Sequence, residues 1–362
     1  MSSHSESDDI KAVAILGASG YTGAEALRLA LSHPRIKVTA LGAERKAGKR
    51  LQSVFSHFHH WPDLPELQAS DAIDFAALDA VFVCLPHAAS QNAIVRILDQ
   101  AEKKGDAPPL IIDLSADFRL KDAEVYQEWY ATRHIAPHLL PQVVYGLSEF
   151  AHDRLPGAKI IACPGCYPTA CLISLLPLAR QKLIRPSPII IAALSGVSGR
   201  GRSLTEDNLF SETAEAMQAY GLDGHRHRPE IEQELSEAFA SPAMVSFIPH
   251  LIPINRGELA TITVQLEDGT CIADLRRALE KCYREAPFVT LLPEGEVPST
   301  RMVRGSNHAA LNVFADRNPK QAVVMAAIDN LVKGSSGQAI QNFNIALGLP
   351  ETMGLEQPPI FP

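Results

Sequence analysis

Cys166 has the residue type and position of a nucleophile. It lies within residues 160–169, which join an apolar run of strand length to the apolar helical pattern of residues 170–182. A thiol at the start of a helix is favoured as thiolate by the helix dipole and by free backbone N–H groups. Pro168 suits the first helical turn, where no backbone N–H is needed. The pattern predicts a reactive Cys166, and its alternative is a structural cysteine at a turn.

A second polar motif, residues 224–231, could supply proton transfer. Pro229 and the periodic apolar residues that follow it predict a helix, so His225 and His227 lie in the approach to that helix. A cysteine nucleophile and a histidine that transfers protons are the minimum for acyl chemistry through a thioester. Both histidines are therefore candidates.

Cys163 and Cys166 also have the spacing of a dithiol redox motif and of one half of a zinc site. No second cysteine or histidine pair at ligand spacing accompanies them. The histidine cluster of residues 57–60 has an aromatic, proline-flanked context that favours loop packing. We therefore expect no metal, and the dithiol interpretation stays open at this point.

A glycine turn predicts nucleotide binding near the N-terminus. Gly17, Gly20 and Gly23 follow the apolar run of residues 11–16 and precede a helical pattern over residues 24–32. Glycines at such a turn permit close approach to a pyrophosphate, which the free N–H groups of the helix then bind. An ordinary strand-to-helix turn is the alternative.

Further apolar runs that do not alternate with polar residues occur at residues 36–41, 80–85 and 110–114, and a helical pattern covers residues 90–104. This order is typical of a parallel sheet covered on both faces. We predict an α/β fold with a Rossmann-type nucleotide-binding domain.

The residues after the second strand predict which dinucleotide is bound. Glu44 would accept from the ribose 2′-hydroxyl of NAD, whereas basic residues would bind the 2′-phosphate of NADP. Four bases outnumber the single acid there, namely Arg45, Lys46, Lys49 and Arg50. The prediction is NADP(H), with an exposed charged loop as the alternative.

The later half of the chain has strands that alternate apolar and polar residues more regularly, which indicates a mainly antiparallel sheet. These strands are predicted at residues 245–247, 261–265, 288–292 and 311–315, with helices at 230–239 and 273–283. The predicted organisation is a flexible tail (1–10), an NADP-binding domain (11–164), an α+β catalytic and dimerisation domain (165–331) and a C-terminal helix that returns to the first domain (332–362).

Composition limits the function classes. The chain has 362 residues, with 33 basic and 41 acidic side chains and a net charge of −8, which argues against general affinity for nucleic acid or anionic membranes. No apolar run reaches the roughly 18 residues of a membrane-spanning helix. The polar, acidic N-terminus lacks the features of a secretion signal, so a cytoplasmic location is expected. Six cysteines are too few for a disulfide scaffold and are interpreted as thiols.

Nine motifs in order carry a family resemblance. They are GASGYTG (17–23), LPH (85–87), DLSADFR (113–119), YGL (145–147), PGCYPT (164–169), GVSG (196–199), HRHRPEI (225–231), PHL (249–251) and KGSSGQA (333–339). Over about residues 11–354 the sequence resembles the N-acetyl-gamma-glutamyl-phosphate reductases of arginine biosynthesis, which are related to aspartate-semialdehyde dehydrogenase. The resemblance implies reduction of an acyl phosphate by NADPH through a cysteine thioester, with release of inorganic phosphate and an aldehyde. It also implies a homodimer or homotetramer whose interface is the second sheet.

The resemblance assigns roles to individual positions. Cys166 matches the catalytic cysteine and His225 the acid/base histidine. Predicted substrate-binding residues are Arg119, which matches a phosphoryl-binding arginine, together with Arg202, His227, Glu230 and Arg256. Predicted cofactor-binding residues are Gly17, Ser19, Gly20, Tyr21, Thr22, Gly23, Arg45, Lys46, Pro86, Ser198, Gly199 and Asn342.

Three departures from the family pattern stand out: Cys163 where asparagine is common, Arg200 where a small residue is usual, and Ala43-Glu44 in place of a Ser-Arg pair. The last change bears on the 2′-phosphate contacts. A carrier-linked aminoadipyl-phosphate reductase of lysine biosynthesis shares the fold and motifs and is the nearest alternative. A thiol-disulfide oxidoreductase using Cys163 and Cys166, and a nucleotide-sensing regulator without catalysis, are more distant ones.

Overall fold

The structure, a computed structural model, describes residues 10–361, so nearly all of the predicted tail lies outside the described residues. Within this range one sheet is entirely parallel. Its strands are β1 (Lys11–Leu16), β2 (Ile36–Gly42), β3 (Leu67–Gln68), β4 (Ala80–Val83), β5 (Leu110–Asp113), β6 (Val143–Tyr145) and β7 (Ile160–Ala162). They lie in the order β3-β2-β1-β4-β5-β7-β6, which confirms the predicted Rossmann-type domain.

Helices cover both faces of this sheet, as its uninterrupted apolar strands require. The helices of this region are α1 (Tyr21–Ala30), α2 (Ala89–Lys104), α3 (Ala123–Tyr130) and α4 (Ser148–Ala151). Val13 and Ile15 pack in the same apolar cluster as residues of α1, whereas Ala14 and Leu16 pack with residues of α2. Alternate side chains of one strand thus enter two separate cores.

The second sheet is mixed. Its strands within residues 10–361 are β8 (Ile184–Gly196), β9 (Gln218–Ala219), β10 (Val245–Ile252), β11 (Glu258–Leu266), β12 (Val289–Leu291), β13 (Ala309–Ala315) and β14 (Gln321–Ile328), in the order β12-β13-β14-β11-β8-β10-β9. The pairs β8–β10 and β12–β13 are parallel, and the other neighbours are antiparallel. The prediction of a mainly antiparallel sheet in an α+β region is confirmed, with those two parallel pairs as its exceptions.

One face of the second sheet carries the largest apolar core. It packs against α5 (Cys166–Arg180), α7 (His227–Phe239) and α8 (Ile272–Tyr283), while α6 (Phe210–Thr213) lies in the connection before β9. Buried and partly exposed residues alternate along β10 and β11, so the opposite face lacks a helical cover from the described chain. This is the half-covered sheet that the alternating pattern predicted.

Several element boundaries differ from the sequence predictions. Helix α5 begins at Cys166, where the prediction puts the first turn, so the helix extends the predicted apolar stretch of residues 170–182 toward the N-terminus. Helix α7 begins at His227 rather than after Pro229. Pro229 is the third residue of α7, where a backbone N–H has no helical acceptor, so the helix includes it at no cost. Strand β14 was not predicted.

The predicted C-terminal helix is divided in two. A π-helical turn (Val332–Ser336) precedes α9 (Gly337–Ala346), and α9 packs against α1 and β5 of the first sheet. Among residues 10–361 no helix has both the length and the apolar character needed to cross a bilayer.

Candidate active site

Cys166 is the first residue of α5 and lies on the wall of a cavity of about 470 Å³. The preceding residue, Gly165, is extended and no side chain caps the helix, so the first-turn N–H groups face the site. Burial and the neighbouring Glu258 carboxylate nevertheless raise the pKa of the Cys166 thiol well above its ordinary value. Burial and the carboxylate thus oppose the thiolate that the helix start favours.

His225 shares this cavity and is held in one tautomer. Its Nδ1 accepts a hydrogen bond from the backbone N–H of His227 at 3.2 Å, so the proton of the neutral ring is on Nε2. Burial, assisted by Arg226 and Arg228, lowers the pKa of His225 to about 4. The neutral imidazole is therefore a hydrogen-bond donor at Nε2.

His227 begins α7 and its ring lies 4.9 Å from that of His225. A Cβ on Gly165 would fall 2.4 Å from its Nε2, so the ring abuts the residue before the nucleophile. Burial, with His225 as a further cause, lowers the pKa of His227 well below its usual range. Both predicted histidines thus reach the Cys166 region as neutral rings.

Glu230 fixes the loop that carries Cys166. Its Oε1 accepts hydrogen bonds from the Gly165 N–H at 2.9 Å and from the Tyr145 hydroxyl at 2.8 Å. The carboxylate is 1 % exposed, and burial raises its pKa while Arg119 opposes that rise. Glu230 therefore joins α7 to the start of α5, and it orients the backbone at the site.

Arg119 lies beneath the same loop. Its Nε donates to the Cys163 carbonyl oxygen at 2.7 Å and its Nη2 to the Leu114 carbonyl oxygen at 3.0 Å, while Nη1 lies 3.4 Å from Glu230. Three of its contacts are internal and the residue is 8 % exposed. The structure thus brings Arg119 next to the nucleophile's loop, where phosphoryl binding would have to use its remaining N–H groups.

Arg202 and Arg256 lie outside the lining of the cavity. Arg202 donates to the Ser19 carbonyl oxygen at 3.3 Å and stacks on Phe55, which places it at the glycine turn. Arg256 forms a bidentate pair with Glu25, at 2.7 and 3.0 Å. These contacts favour a cofactor-side position for Arg202 and a structural one for Arg256.

Two other arginines line the cavity and were not predicted as site residues. Arg226 lies over the Tyr130 ring at 5.3 Å, and Arg200 lies over the Tyr220 ring at 5.4 Å. Arg226 lies between the two histidines of the motif at residues 225–231, and Arg200 directly follows the GVSG motif, where it departs from the family pattern. The sequence shows that both residues are charged, but it does not show that both line the cavity.

The glycine turn forms a tight cradle. Gly17 has a φ of +77°, and a Cβ there would fall 2.2 Å from the Cys84 carbonyl oxygen. A Cβ on Gly23 would fall 2.4 Å from the Gly17 carbonyl oxygen. Helix α1 then begins at Tyr21 with Gly20 as a cap that offers no side chain, which leaves the N–H groups of Tyr21 and Thr22 for an anion.

The residues after β2 fit a 2′-phosphate. Glu44 accepts hydrogen bonds from the Ser70 N–H and hydroxyl, at 3.0 and 2.5 Å, and these bonds lower the pKa of its carboxylate. The side chains of Arg45 and Lys46 make no hydrogen bond or ion pair with other residues in the described range. Two cations are thus available while the nearby anion is already bound by the chain, and the residues present fit NADP.

The remaining predicted cofactor residues have different surroundings. Gly199 lines the cavity, and the Ser198 hydroxyl accepts from the Asn330 side chain at 2.9 Å. Pro86 lies three residues after the end of β4. Asn342 is fully buried, with Nδ2 donating to the Gly146 carbonyl oxygen at 2.7 Å and Oδ1 accepting from Ser148. Its amide is used within the protein and offers no free group to a cofactor.

Cys163 is fully buried beside the Asn342 side chain, and burial raises the pKa of its thiol to about 12. A thiol in that state is a poor partner for disulfide exchange, which disfavours the dithiol interpretation. Within residues 10–361 no three His, Cys, Asp or Glu side chains are grouped so that they could hold a metal ion.

Comparisons with known proteins agree with this geometry. Residues 12–158 match the family model of the semialdehyde dehydrogenase NAD binding domain, and residues 166–330 match that of the semialdehyde dehydrogenase dimerisation domain. N-acetyl-gamma-glutamyl-phosphate reductase from Rhodospirillum rubrum is 49 % identical over 350 residues, which is 97 % of this chain and 98 % of that protein. The corresponding protein from Afipia carboxidovorans is 46 % identical, over 96 % of this chain and 98 % of its own length.

Among solved structures, aspartate semialdehyde dehydrogenase II from Vibrio cholerae superposes with a TM-score of 0.68 at 16 % identity, over 94 % of this chain and 98 % of that one. At that identity the likeness concerns the fold alone. The sequence matches are much closer and run almost from end to end. The chain belongs to the N-acetyl-gamma-glutamyl-phosphate reductase family of the semialdehyde dehydrogenases.

Proposed function

We propose that this chain reduces N-acetyl-gamma-glutamyl phosphate to N-acetylglutamate 5-semialdehyde with release of phosphate, as a step of arginine biosynthesis. The observation that carries the proposal is Cys166 at the start of α5, opening on a cavity that it shares with His225. The relatives named for this reaction support the choice of substrate.

The chain's own residues account for the acyl transfer. The Cys166 sulfur attacks the acyl carbon, phosphate leaves, and a thioester remains on the enzyme. The N–H groups at the start of α5 and the Nε2–H of His225 are the donors that stabilise negative charge on the carbonyl oxygen. Glu230 keeps the Gly165 backbone, and with it these donors, in position.

An anionic substrate needs positively charged side chains that are not already paired with carboxylates of the protein. Arg226 and Arg200 line the cavity and are stacked on tyrosine rings rather than paired with carboxylates. We assign them to the phosphoryl and carboxylate groups, alongside the remaining N–H groups of Arg119. Substrate roles for Arg202, His227, Glu230 and Arg256 stay predictions.

NADPH supplies the hydride that brings the thioester to the aldehyde level. The glycine turn from Gly17 to Gly23 would hold its pyrophosphate, and Arg45 with Lys46 would hold its 2′-phosphate. Pro86, Ser198 and Gly199 stay predictions for its nicotinamide end, as does Asn342, which would first have to release its internal hydrogen bonds.

The organisation of the chain is proposed on the same grounds. An NADP-binding domain would cover residues 11–164, a catalytic and dimerisation domain residues 165–331, and a C-terminal segment residues 332–362. The half-covered second sheet supports a homodimer or homotetramer in which that face is the subunit contact. Free thiols at all six cysteines fit a cytoplasmic location.

The reverse reaction tests the function. Purified protein is assayed with N-acetylglutamate 5-semialdehyde, phosphate and NADP, and in parallel with the one-methylene-longer aminoadipate semialdehyde on its carrier. We expect activity with the first substrate and at least tenfold less with the second, since one methylene changes binding by about 1–3 kcal/mol. Preference for the longer substrate would assign the protein to lysine biosynthesis, and activity with NAD alone would contradict the cofactor.

A further inference from the structure

His87 is a cavity-lining residue to which neither the sequence motifs nor the family matches assign a role. It lies in the loop between β4 and α2, at the carboxyl edge of the first sheet. Its Nε2 is 2.9 Å from Nη1 of Arg226, which directly precedes α7. A side chain beside the first sheet thus meets, across the cavity, one that comes from the segment of the two histidines.

The hydrogen bond between these two side chains can run in one direction only. A guanidinium donates and never accepts, so the nitrogen of His87 that faces it is unprotonated, and the other nitrogen carries the proton of the neutral ring. Nε2 is the acceptor, since Nδ1 lies farther from the same Nη1, at 3.3 Å. Burial, assisted by Arg226, lowers the pKa of His87 below its ordinary value and so favours this accepting form. His87 therefore fixes one N–H group of Arg226.

The ring of Tyr130 orients the rest of the guanidinium. Tyr130 is the last residue of α3 and is 6 % exposed, and its ring lies 5.3 Å from Cζ of Arg226 and 5.7 Å from the His87 ring. No carboxylate among residues 10–361 forms an ion pair with Arg226. A neutral acceptor and an aromatic face thus direct this guanidinium, and its positive charge stays available for an anionic ligand.

One buried carboxylate supports both His87 and Tyr130. Asp117 is 0 % exposed, and its Oδ1 accepts hydrogen bonds from the Ala88 N–H at 2.7 Å and from the Tyr126 hydroxyl at 2.6 Å. Ala88 is the residue after His87. The Tyr126 ring stacks on that of Tyr130, with the centroids 4.7 Å apart and an interplanar angle of 10°. The same oxygen therefore holds the loop of His87 and the ring on which Tyr130 lies.

The backbone beside His87 depends on this support. Ala88 has a φ of +67° and a ψ of −23°, a left-handed conformation that a residue with a side chain rarely adopts, and α2 has no side-chain cap from its own N-cap residue. Oδ2 of Asp117 accepts from the Ser90 hydroxyl at 2.7 Å and from the Gln91 N–H at 3.3 Å. Asp117 thus caps the start of α2 from a different segment and stabilises the turn in which His87 lies.

The place of Asp117 in the chain relates this arrangement to the phosphoryl group. Asp117 lies two residues before Arg119, in the segment that follows β5, and Ala116 of the same segment lines the cavity. The Arg119 N–H donates to the Ala116 carbonyl oxygen at 3.4 Å. One segment thus carries the arginine that matches a phosphoryl-binding residue and also the carboxylate that supports the contacts of Arg226. Arg226 is therefore on the phosphoryl side of the cavity.

We propose that His87 and Tyr130 are positioning residues, which direct Arg226 toward the phosphoryl group of the substrate, with Asp117 as their common support. The proposal rests on the acyl-phosphate reductase activity proposed above and adds how the phosphoryl group is recognised. An arginine side chain is long and flexible, and ordering it upon binding costs conformational entropy. Because His87 and Tyr130 order it beforehand, phosphate and acyl phosphate bind more tightly. The effect falls on affinity for the phosphoryl group and not on attack by Cys166.

The reverse reaction tests the proposal, because phosphate is then a substrate with a KM of its own. His87→Leu keeps a side chain of similar size but removes the acceptor. We expect KM for phosphate to rise about fivefold or more, with kcat and KM for NADP within about twofold of wild type. His87→Gln keeps an acceptor and should return KM for phosphate to within about twofold of wild type. His138→Leu is the matched control, at an exposed histidine outside the lining of the cavity, and keeps the wild-type values.

A double-mutant cycle separates positioning from a general structural role. Arg226→Met should itself raise KM for phosphate, and His87→Leu added to it should cause no further rise, because His87 acts through Arg226. A further rise in the double variant, an equal rise in KM for NADP, or an unchanged KM for phosphate in His87→Leu each overturns the proposal. Asp117→Asn should raise KM for phosphate at least as far as His87→Leu does; if it does not fold, the His87 variants decide.

Phosphate binding without turnover keeps this proposal separate from the reductase activity. Inorganic phosphate should protect Cys166 from alkylation by iodoacetamide, followed by peptide mass spectrometry, and half-protection should need about fivefold more phosphate in His87→Leu. If this result is found in a wild type without reductase activity, the reductase activity alone is rejected. Equal protection in both proteins, or no protection in the wild type, overturns the proposal and leaves an active reductase as it stands.

Discussion

The imidazole of His227 lies against the backbone of Gly165, so closely that a methyl group on that residue would meet Nε2 at 2.4 Å. The same methyl group would stand 2.9 Å from Nη1 of Arg119. Gly165 is thus required for space rather than for backbone conformation, since its φ of −65° suits any residue. Because Gly165 has no side chain, His227 and Arg119 can both lie close to the backbone that carries Cys166.

Gly165→Ala should therefore displace His227 and the Cys166 backbone together. We expect kcat to fall at least tenfold, and the free energy of unfolding to fall by about 1–3 kcal/mol, as for other overpacked sites. Steady-state kinetics and urea denaturation measure the two effects. Gly157→Ala, at an open loop glycine, is the control for kcat alone, because its φ of +78° makes any added side chain destabilising. Wild-type kcat in Gly165→Ala would contradict the placement of His227.

Cys166→Ser should abolish turnover and keep cofactor binding. The hydroxyl has nearly the same size but is a far weaker nucleophile, and the glycine turn is on a different sheet from α5. NADPH binding followed by nicotinamide fluorescence should give a Kd within twofold of wild type. Cys282→Ser, an exposed cysteine near the end of α8, should retain full activity; reductase activity surviving in Cys166→Ser would remove the thioester from the mechanism.

The hydrogen bonds from Ser70 to the Glu44 carboxylate should favour NADPH over NADH. In Ser70→Ala the carboxylate loses the hydroxyl and is freer to turn toward the 2′-phosphate that Arg45 and Lys46 would bind. We expect KM for NADPH to rise several-fold while KM for NADH hardly changes. Ser53→Ala, at an exposed serine between β2 and β3, is the control. An unchanged ratio of the two KM values would show that Glu44 does not influence the choice.

Arg256→Met distinguishes a structural from a substrate role. Arg256 pairs with Glu25, which is 3 % exposed, and lies 3.6 Å from Asp329. Its removal leaves Glu25 with Arg28 alone, so we expect a loss of about 2–3 kcal/mol in the free energy of unfolding. KM for the semialdehyde should stay within twofold. A large rise in KM with unchanged stability would restore the substrate role predicted from the sequence.

The neutral His225 should make stability depend on pH. Its pKa of about 4 in the folded protein lies below the ordinary 6.5, so the unfolded chain binds this proton first as the pH falls. The stabilisation is complete above about pH 6.5 and is lost progressively toward pH 4, by about 1–3 kcal/mol. His225→Asn should show a smaller drop between pH 7.5 and about pH 5 in urea titrations. An identical drop in both proteins would mean that His225 titrates normally.

Local motifs predicted much of this site. Cys166, His225 and the glycine turn were recognisable because a few consecutive residues determine a strand, a turn and a helix start. The partners of the charged residues were not, because they lie far apart in sequence: Glu230 is 111 residues from Arg119, and Arg256 is 231 residues from Glu25. The fold class was predictable from periodicity, whereas β14 and the early start of α7 depended on tertiary pairing.

Helix α9 contributes Ala339, Ile340 and Phe343 to the core beneath the first sheet, where Phe343 lies 5.8 Å from Phe82. The strands of that sheet are complete by residue 162, yet one of their two apolar faces is finished only by residues 337–346. On the ribosome the nucleotide-binding half is synthesised first and must wait for the last helix before its core can close. The first half of the chain to be made thus completes its apolar core only after the second half has been synthesised.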